Sequence, residues 1–168
     1  MKVRPNWPLF VGLAAAVVVA DQLTKAWIAA TIAPGSAMSI IGENLRLVNS
    51  HNSGALFGLF RENALLFGIV SLGVIGFIVA YHARSGRSAY MSVTLGLLLG
   101  GAIGNVTDRL RLGYVVDFVD AGIGDLRWYT FNVADAAISF AIILLILVAV
   151  RPTFAEAPKA AVGPSGDA

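Results

Sequence analysis

Two acids stand where a carboxylate is hard to explain. Asp117 lies in "YVVDFVD", inside an apolar run made by Val115, Val116, Phe118 and Val119. Strand alternation puts Asp117 on one face with Val115 and Val119, so a charge interrupts an apolar face. Asp120 falls on the opposite face and is expected to be solvated. Asp135 lies in "FNVADAAIS", at the lip of a long apolar helix. Asn132, three residues earlier, suits an N-cap, and an acid there also suits the positive helix end. Asp135 therefore has a structural explanation beside a chemical one. The two acids are 18 residues apart with the Gly-rich turn "AGIGD" between them. That is enough chain to bring the second acid back beside the first. Two carboxylates at one partly dry site cannot easily both ionise, so they share a proton and act as base and acid together. One can take a proton from water as it attacks an amide carbonyl. The other can donate to the carbonyl oxygen.

Further polar residues collect near these two. Asp21 and Lys25 are four apart on one helix face, acid first, which is the favourable order for an internal ion pair. Asp21 is also placed to brace the segments beyond that helix. In "GNVTDRL", Asn105 and Arg109 share a face and fit a polar lining, while Asp108 reads as a residue marking the water interface. No cysteine is present, so disulfides, thiol nucleophiles and thiolate metal sites are excluded. His51 and His82 are expected on opposite sides of a membrane. That leaves no Ser/His pair and no paired-histidine metal site, and neither a metal nor a cofactor is expected.

The elements that must position these residues are membrane spans. Hydrophobic residues make up 57% of the 168 and charged residues 13%, about half the usual ~25% charged. A soluble domain of this length could not hide so much apolar surface. Four stretches, about 8–30, 64–82, 90–106 and 132–150, are close to the ~20 apolar residues that a spanning helix needs. The first is broken by Asp21 and Lys25, and the third is short and glycine-rich. A cleavable signal peptide is the alternative for the first stretch, with Lys2 and Arg4 before an apolar core. The apolar pattern resuming at Ala26, Trp27 and Ile28 argues against it. Lys2, Arg4, Arg84, Arg87, Arg151 and Lys159 fall on one side of a four-span chain, which makes both termini cytoplasmic. Arg46, Arg61, Arg109, Arg111 and Arg127 fall on the other, spread over longer segments.

The outward segments 31–63 and 107–131 mix β-branched and aromatic residues with Gly and Asn. They read as short strands forming a small platform, with Trp128 and Tyr129 suited to the membrane interface. Gly96, Gly100 and Gly104, beside Gly101, form a small-residue stripe for close helix packing. The fold class is thus a membrane all-α protein with a small β platform. Residues 1–152 form one unit, and 153–168 form a disordered Ala/Pro/Gly-rich tail. Lys and Arg exceed Asp and Glu by only two, 12 against 10, so no basic patch suggests nucleic acid. Three readings stay open from the residues alone. They are a membrane protease using Asp117 and Asp135, a small proton-coupled transporter, and a non-enzymatic scaffold of glycine-packed helices.

The segments "DQLTKAW" at 21–27, "NSGALFG" at 52–58, "GGAIGNVTDRLRLGYVVDFVD" at 100–120 and "FNVADAAIS" at 131–139 resemble bacterial lipoprotein signal peptidase, the signal peptidase II family. They appear in family order, and the resemblance covers about residues 8–150. It implies four transmembrane helices with an outward β platform in the bacterial inner membrane. It implies that Asp117 and Asp135 are a catalytic dyad. It also implies that Asp21, Asn52, Asn105, Arg109 and Asn132 orient the dyad and hold the substrate backbone. The implied substrate is a prolipoprotein whose cysteine already carries diacylglycerol, cut just before that cysteine. Leu56 stands where the family commonly has alanine, a conservative departure. One polypeptide supplies both acids, so a monomer would suffice.

Overall fold

A computed structural model of the chain describes residues 4–53, 64–86 and 88–156, with nothing described of the side chains of 64–68. Lys2, Leu56, Arg61, Arg87, Lys159 and most of the expected tail lie outside the described residues.

Among the described residues, four α-helices and four strands follow in the order α1 (Trp7–Thr31), β1 (Ala37–Ile41), β2 (Leu45–Asn52), α2 (Ala64–Ser85), α3 (Ala89–Leu112), β3 (Val115–Ile123), β4 (Leu126–Arg127) and α4 (Val133–Val150). Among the described residues, α1, α3 and α4 are long and apolar enough to cross a membrane. Each closes its own backbone hydrogen bonds, as a segment in lipid must. The Asn6 side chain accepts from the Leu9 amide to start α1, with Pro8 in the first turn. Gly113, at φ +79°, ends α3 in the left-handed conformation that glycine adopts without penalty. Helix α3 therefore runs to Leu112, six residues past the expected end at 106, and carries Asp108 and Arg109 inside it.

Helix α3 lies at the centre and packs on α1, α2 and α4. Its glycines set the approach. A methyl group at Gly96 would lie 2.9 Å from the Phe10 carbonyl oxygen, at Gly100 2.7 Å from Val17 Cβ, and at Gly101 2.5 Å from the Ala134 carbonyl oxygen. The glycine stripe is a packing device. One core cluster joins Phe10, Ala14, Ile78, Met91, Leu95 and Leu99 between α1, α2 and α3. A second, made of Ile28, Ile32, Val116 and Phe118, seats the sheet on the end of α1. The outer faces stay apolar and exposed. Phe140, Ile143, Ile146 and Val150 form one such stripe on α4.

The strands form one antiparallel sheet in the order β1-β2-β3-β4. It caps one end of the bundle, the sheet end. At the opposite end the Asn6 amide donates to the Gly86 carbonyl, 2.8 Å away, and the Ser88 hydroxyl donates to the Phe154 carbonyl. The starts of α1 and α3 thus meet the ends of α2 and α4. The tail does not loosen at 153 as expected. Pro152–Ala155 form a 3-10 turn, and the Phe154 ring stacks on Tyr90 at 5.5 Å.

Candidate active site

Four elements, β2, β3, α3 and the start of α4, converge at the sheet end. Strand β3 is tied to the segment before α4 by Phe131, whose amide donates to the Val119 carbonyl while its carbonyl accepts from the amides of Phe118 and Val119. That pairing puts Asp117 next to Asn132. Strand β3 is tied to α3 by the Val116 amide, which donates to Asp108 Oδ2 at 3.2 Å. Strand β2 brings Asn52 alongside. Its register against β3 shifts between Leu47 and Ser50, an irregularity of the kind that re-aims side chains near functional sites. The Asn49 side chain there turns inward to donate to the Ile32 carbonyl at 2.8 Å.

Asn132 joins the two acids. Its Oδ1 accepts from the Asp135 amide at 2.9 Å, and its own amide donates to Asp135 Oδ2 at 3.3 Å. This reciprocal capping box matches the expected N-cap and third-position pair. The same side chain donates through Nδ2 to Asp117 Oδ1 at 2.7 Å. Asn52 Nδ2 donates to Asp117 Oδ2 at 2.9 Å. Asn105 Nδ2 donates to Asp135 Oδ1 at 2.7 Å. Each acid thus receives donors on both oxygens. Asp117 is 2% exposed. Burial pushes its carboxyl up to about 6, and the Asp135 charge adds to this. The hydrogen bonds from Asn52 and Asn132 and the Lys25 charge act against it. Two carboxylates held this way suit proton exchange with a water near neutrality.

Behind the acids lies a charged cluster. Lys25 Nζ sits 2.8 Å from Asp21 Oδ2 and 2.9 Å from Asp108 Oδ2, and all three side chains are buried. The Asp21–Lys25 pair is as expected. Asp108 is a correction: it is 3% exposed and does not mark a water interface. The physical reason is the extra helical turn, which keeps it in the bundle facing Lys25. Gln22, which carried no sequence signal, donates to Asp108 Oδ1 at 2.9 Å and to Asp21 Oδ2 at 3.2 Å. Asp21 Oδ1 accepts from the Ala134 amide at 3.0 Å, which braces the start of α4. Gly104 leaves room for it, since a Cβ there would lie 2.7 Å from Asp21 Oδ2.

Arg109 is half-buried on α3, within electrostatic reach of Asp135, Asp117 and Asp108. Asp120 is a second correction. It is 6% exposed rather than solvated. Arg46 Nη2 lies 2.6 Å from its Oδ2, and Arg127 Nε lies 2.7 Å from its Oδ1. The Arg127 and Arg46 guanidiniums hold this carboxyl below the usual range. Asp120 thus clamps β2, β3 and β4 together. It lines a separate cleft of about 780 Å³ with Arg46, Asn49, His51 and Trp128, to which neither Asp117 nor Asp135 contributes. His51, in β2, and His82, near the far end of α2, are at opposite ends of the molecule, as expected. Among the described residues no group of three His, Cys, Asp or Glu side chains is arranged to hold a metal.

The chain matches a family model described as signal peptidase (SPase) II over residues 13–151. Among similar curated proteins is a lipoprotein signal peptidase of Syntrophomonas wolfei, 43% identical over 79% of this chain and 87% of its own length. A lipoprotein signal peptidase of Moorella thermoacetica is 41% identical over 81% and 89%. One of Caulobacter vibrioides is 39% identical over 86% and 87%. A bacterial membrane enzyme solved by the in meso method at 2.3 Å resolution superposes with a TM-score of 0.83 at 29% identity, covering 95% of this chain and 98% of the other. Sequence match and fold agree across nearly the whole bundle and sheet, and the chain belongs to the signal peptidase II family.

Proposed function

We propose that the protein is a membrane endopeptidase that removes the signal peptide from diacylglyceryl-modified prolipoproteins, cutting just before the lipid-modified cysteine. Asp117 and Asp135 share one proton. The ionised acid accepts a proton from water as the oxygen attacks the scissile carbonyl. The protonated acid donates to the carbonyl oxygen. As the intermediate collapses, the first acid passes its proton to the leaving amine and the second recovers one from the oxygen, so the pair is restored. Asn52, Asn105 and Asn132 hold the carboxylates, and Asp21 braces the helix that bears Asp135. The half-buried Arg109 is available to a substrate backbone carbonyl. The observation that carries this reading is Asn132, whose side chain donates to the Asp117 carboxylate while its backbone amide donates to the Asp135 carboxylate.

All four helices span the inner membrane, with both termini cytoplasmic and the sheet on the outer face. Arg4, Arg84 and Arg151 sit at the end opposite the sheet, in agreement with the positive-inside rule. At the sheet edge Ile123, Leu126 and Trp128 are 80%, 81% and 74% exposed, apolar surface suited to a lipid interface. A substrate whose acyl chains stay in the bilayer presents its scissile bond at that same level. A relay across the membrane is disfavoured, because the buried carboxylates and the buried ammonium among the described residues cluster at the sheet end.

The test is a gel-shift assay on a lipidated precursor with purified wild type, Asp117→Asn and Asp135→Asn. Wild type cleaves, both variants insert normally, and neither cleaves. Near-normal cleavage by either variant refutes the proposed dyad.

A further inference from the structure

We propose that Lys25 is a positioning residue for the reaction: its ammonium keys the amide of Asn105, so that Asn105 and Asn132 both aim their N–H groups at the two acids. This goes beyond an ion pair that merely neutralises itself within α1.

The inference rests on direction. An asparagine amide has nearly the same shape when its oxygen and nitrogen are exchanged, so its neighbours must decide which way it points. An ammonium has three donors and no acceptor. Lys25 Nζ lies 3.1 Å from Asn105 Oδ1 in a buried contact. Only the oxygen of Asn105 can face it. Asn105 Nδ2 is thereby turned onto Asp135 Oδ1 at 2.7 Å. Asn132 Nδ2 also donates to Asn105 Oδ1, at 3.2 Å, as well as to Asp117 Oδ1. The orientation of Asn132 is fixed in turn by the Asp135 amide on its Oδ1. One ammonium thus starts a chain of donors that ends on both carboxylates. A flipped Asn105 would set its oxygen against Asp135 and its NH2 against Lys25 and Asn132, which is repulsive at every contact.

Lys25 is itself immobilised. Asp21 on α1 and Asp108 on α3 hold two of its protons, and Asn105 takes the third direction. Asp117 on β3 and Asp135 on α4 both feel its charge, and Arg109 on α3 is the other cation near them. Buried partners that orient the groups touching a reacting atom commonly change rates by about 10- to 100-fold when removed.

Two variants test this. Lys25→Met with Asp108→Asn removes one charge of each sign, so the cluster keeps its net charge. Lys25→Arg keeps the cation, but its planar fork, engaged by the two carboxylates, cannot offer the same point donor to Asn105. Cleavage of the lipidated precursor is followed in detergent micelles across pH, with a thermal melt of each variant. The double variant is expected to lose about 10-fold or more in kcat with KM within about 2-fold. The acidic limb of its kcat profile moves to higher pH, because the pair has lost a donor to its ionised form. Lys25→Arg is expected to lower kcat less and to move the limb less. A variant that melts like wild type and keeps wild-type kcat and pH profile overturns the proposal. Loss of fold in both variants also overturns it, leaving Lys25 a structural residue. The inference depends on Asp117 and Asp135 being the reacting pair, so Asp117→Asn is run alongside. An active Asp117→Asn sinks that premise. An inactive one beside unaffected Lys25 variants sinks only the keying role.

Discussion

The two ends of the α1–α3 interface bury polar groups in different ways. At the end away from the sheet, His82 is fully buried, stacked on Phe10 with ring centroids 4.0 Å apart and met edge-on by Trp7. The Ser92 hydroxyl donates to the Gly86 carbonyl at 3.0 Å, so the 3.1 Å contact between His82 Nε2 and Ser92 Oγ has the ring as donor. That cluster closes on a hydroxyl, a backbone carbonyl and aromatic rings. At the sheet end the same two helices bury Asp21, Lys25 and Asp108, and β3 and α4 add Asp117 and Asp135. Four acids there face Lys25 and Arg109. A cluster built only to join helices has no use for surplus negative charge. The surplus is where chemistry is to be sought.

The largest expected difference between the ends is in rate. Asp117→Asn and Asp135→Asn are each expected to lower cleavage of a lipidated precursor by about 10³-fold or more, since either change would remove the proposed shared-proton pair. Initial rates at saturating substrate check this. Residual cleavage within 10-fold of wild type would mean that the acid cluster is architectural, like its counterpart.

Much of this comparison was legible in the sequence. Asp117 stood out because strand alternation put a charge on an apolar face. Asn132 and Asp135 stood out because capping chemistry has a fixed spacing. What the sequence hid was long-range. Asp108 looked like the end of a helix, because nothing local announced that α3 would run on to Gly113. Gln22 looked like any polar residue, and its role depends on α3 being close enough to reach. Asp120 looked solvated because its two arginines, at positions 46 and 127, come from other strands. Phe131, whose backbone pairing brings Asp117 to Asn132, has no side-chain signal to read.

The next effect bears on how the two ends are held together. Gly100 sits midway along the interface, where a Cβ would fall 2.7 Å from Val17 Cβ and 2.8 Å from the Ala14 carbonyl oxygen. Gly100→Ala is expected to destabilise the protein by about 3 kcal/mol, because backbone cannot yield as a side-chain tip can. It should also lower cleavage, since moving α1 off α3 separates Lys25 from Asn105. Gly12 is the control on the same helix pair. Its Cβ would meet nothing within 4 Å, and Gly12→Ala is expected to match or slightly exceed wild-type stability. Thermal melts in one detergent compare them. Equal melting points would mean that the interface is looser than its contacts imply.

Stability against pH separates the acid cluster further. The Asp117 carboxyl is raised to about 6 by burial. A raised acid stabilises the fold fully below its unfolded value and loses that contribution as pH rises through about 6. At pH 8 the buried carboxylate is therefore a burden, of up to about 3 kcal/mol for a two-unit shift. Asp117→Asn removes it. The variant is expected to melt higher than wild type at pH 8, with the gap closing by about pH 4, while its activity is lost. Identical melting at both pH values would refute the assigned strain.

The smallest effect is the most diagnostic. Ser92→Ala removes an acceptor from His82 Nε2 and a donor from the Gly86 carbonyl, both in a buried setting. The Gly86 carbonyl keeps the Asn6 amide, but the His82 N–H is left unpaired, which is expected to lower stability by about 1–2 kcal/mol. Asn105→Ala at the sheet end likewise removes a buried amide that both gives and accepts hydrogen bonds, and its effect on stability should be of similar size. The two variants should part company in activity. Ser92→Ala keeps kcat within about 2-fold, because its cluster ends on neutral groups that face no acid. Asn105→Ala loses the donor on Asp135 and with it most of the rate. Melting points and kcat measured on the pair give the comparison directly. Equal losses of kcat would mean that the bundle transmits any packing defect to the acids. Matched stability with unequal rate would mean that donor direction, and not bundle stability alone, governs the chemistry.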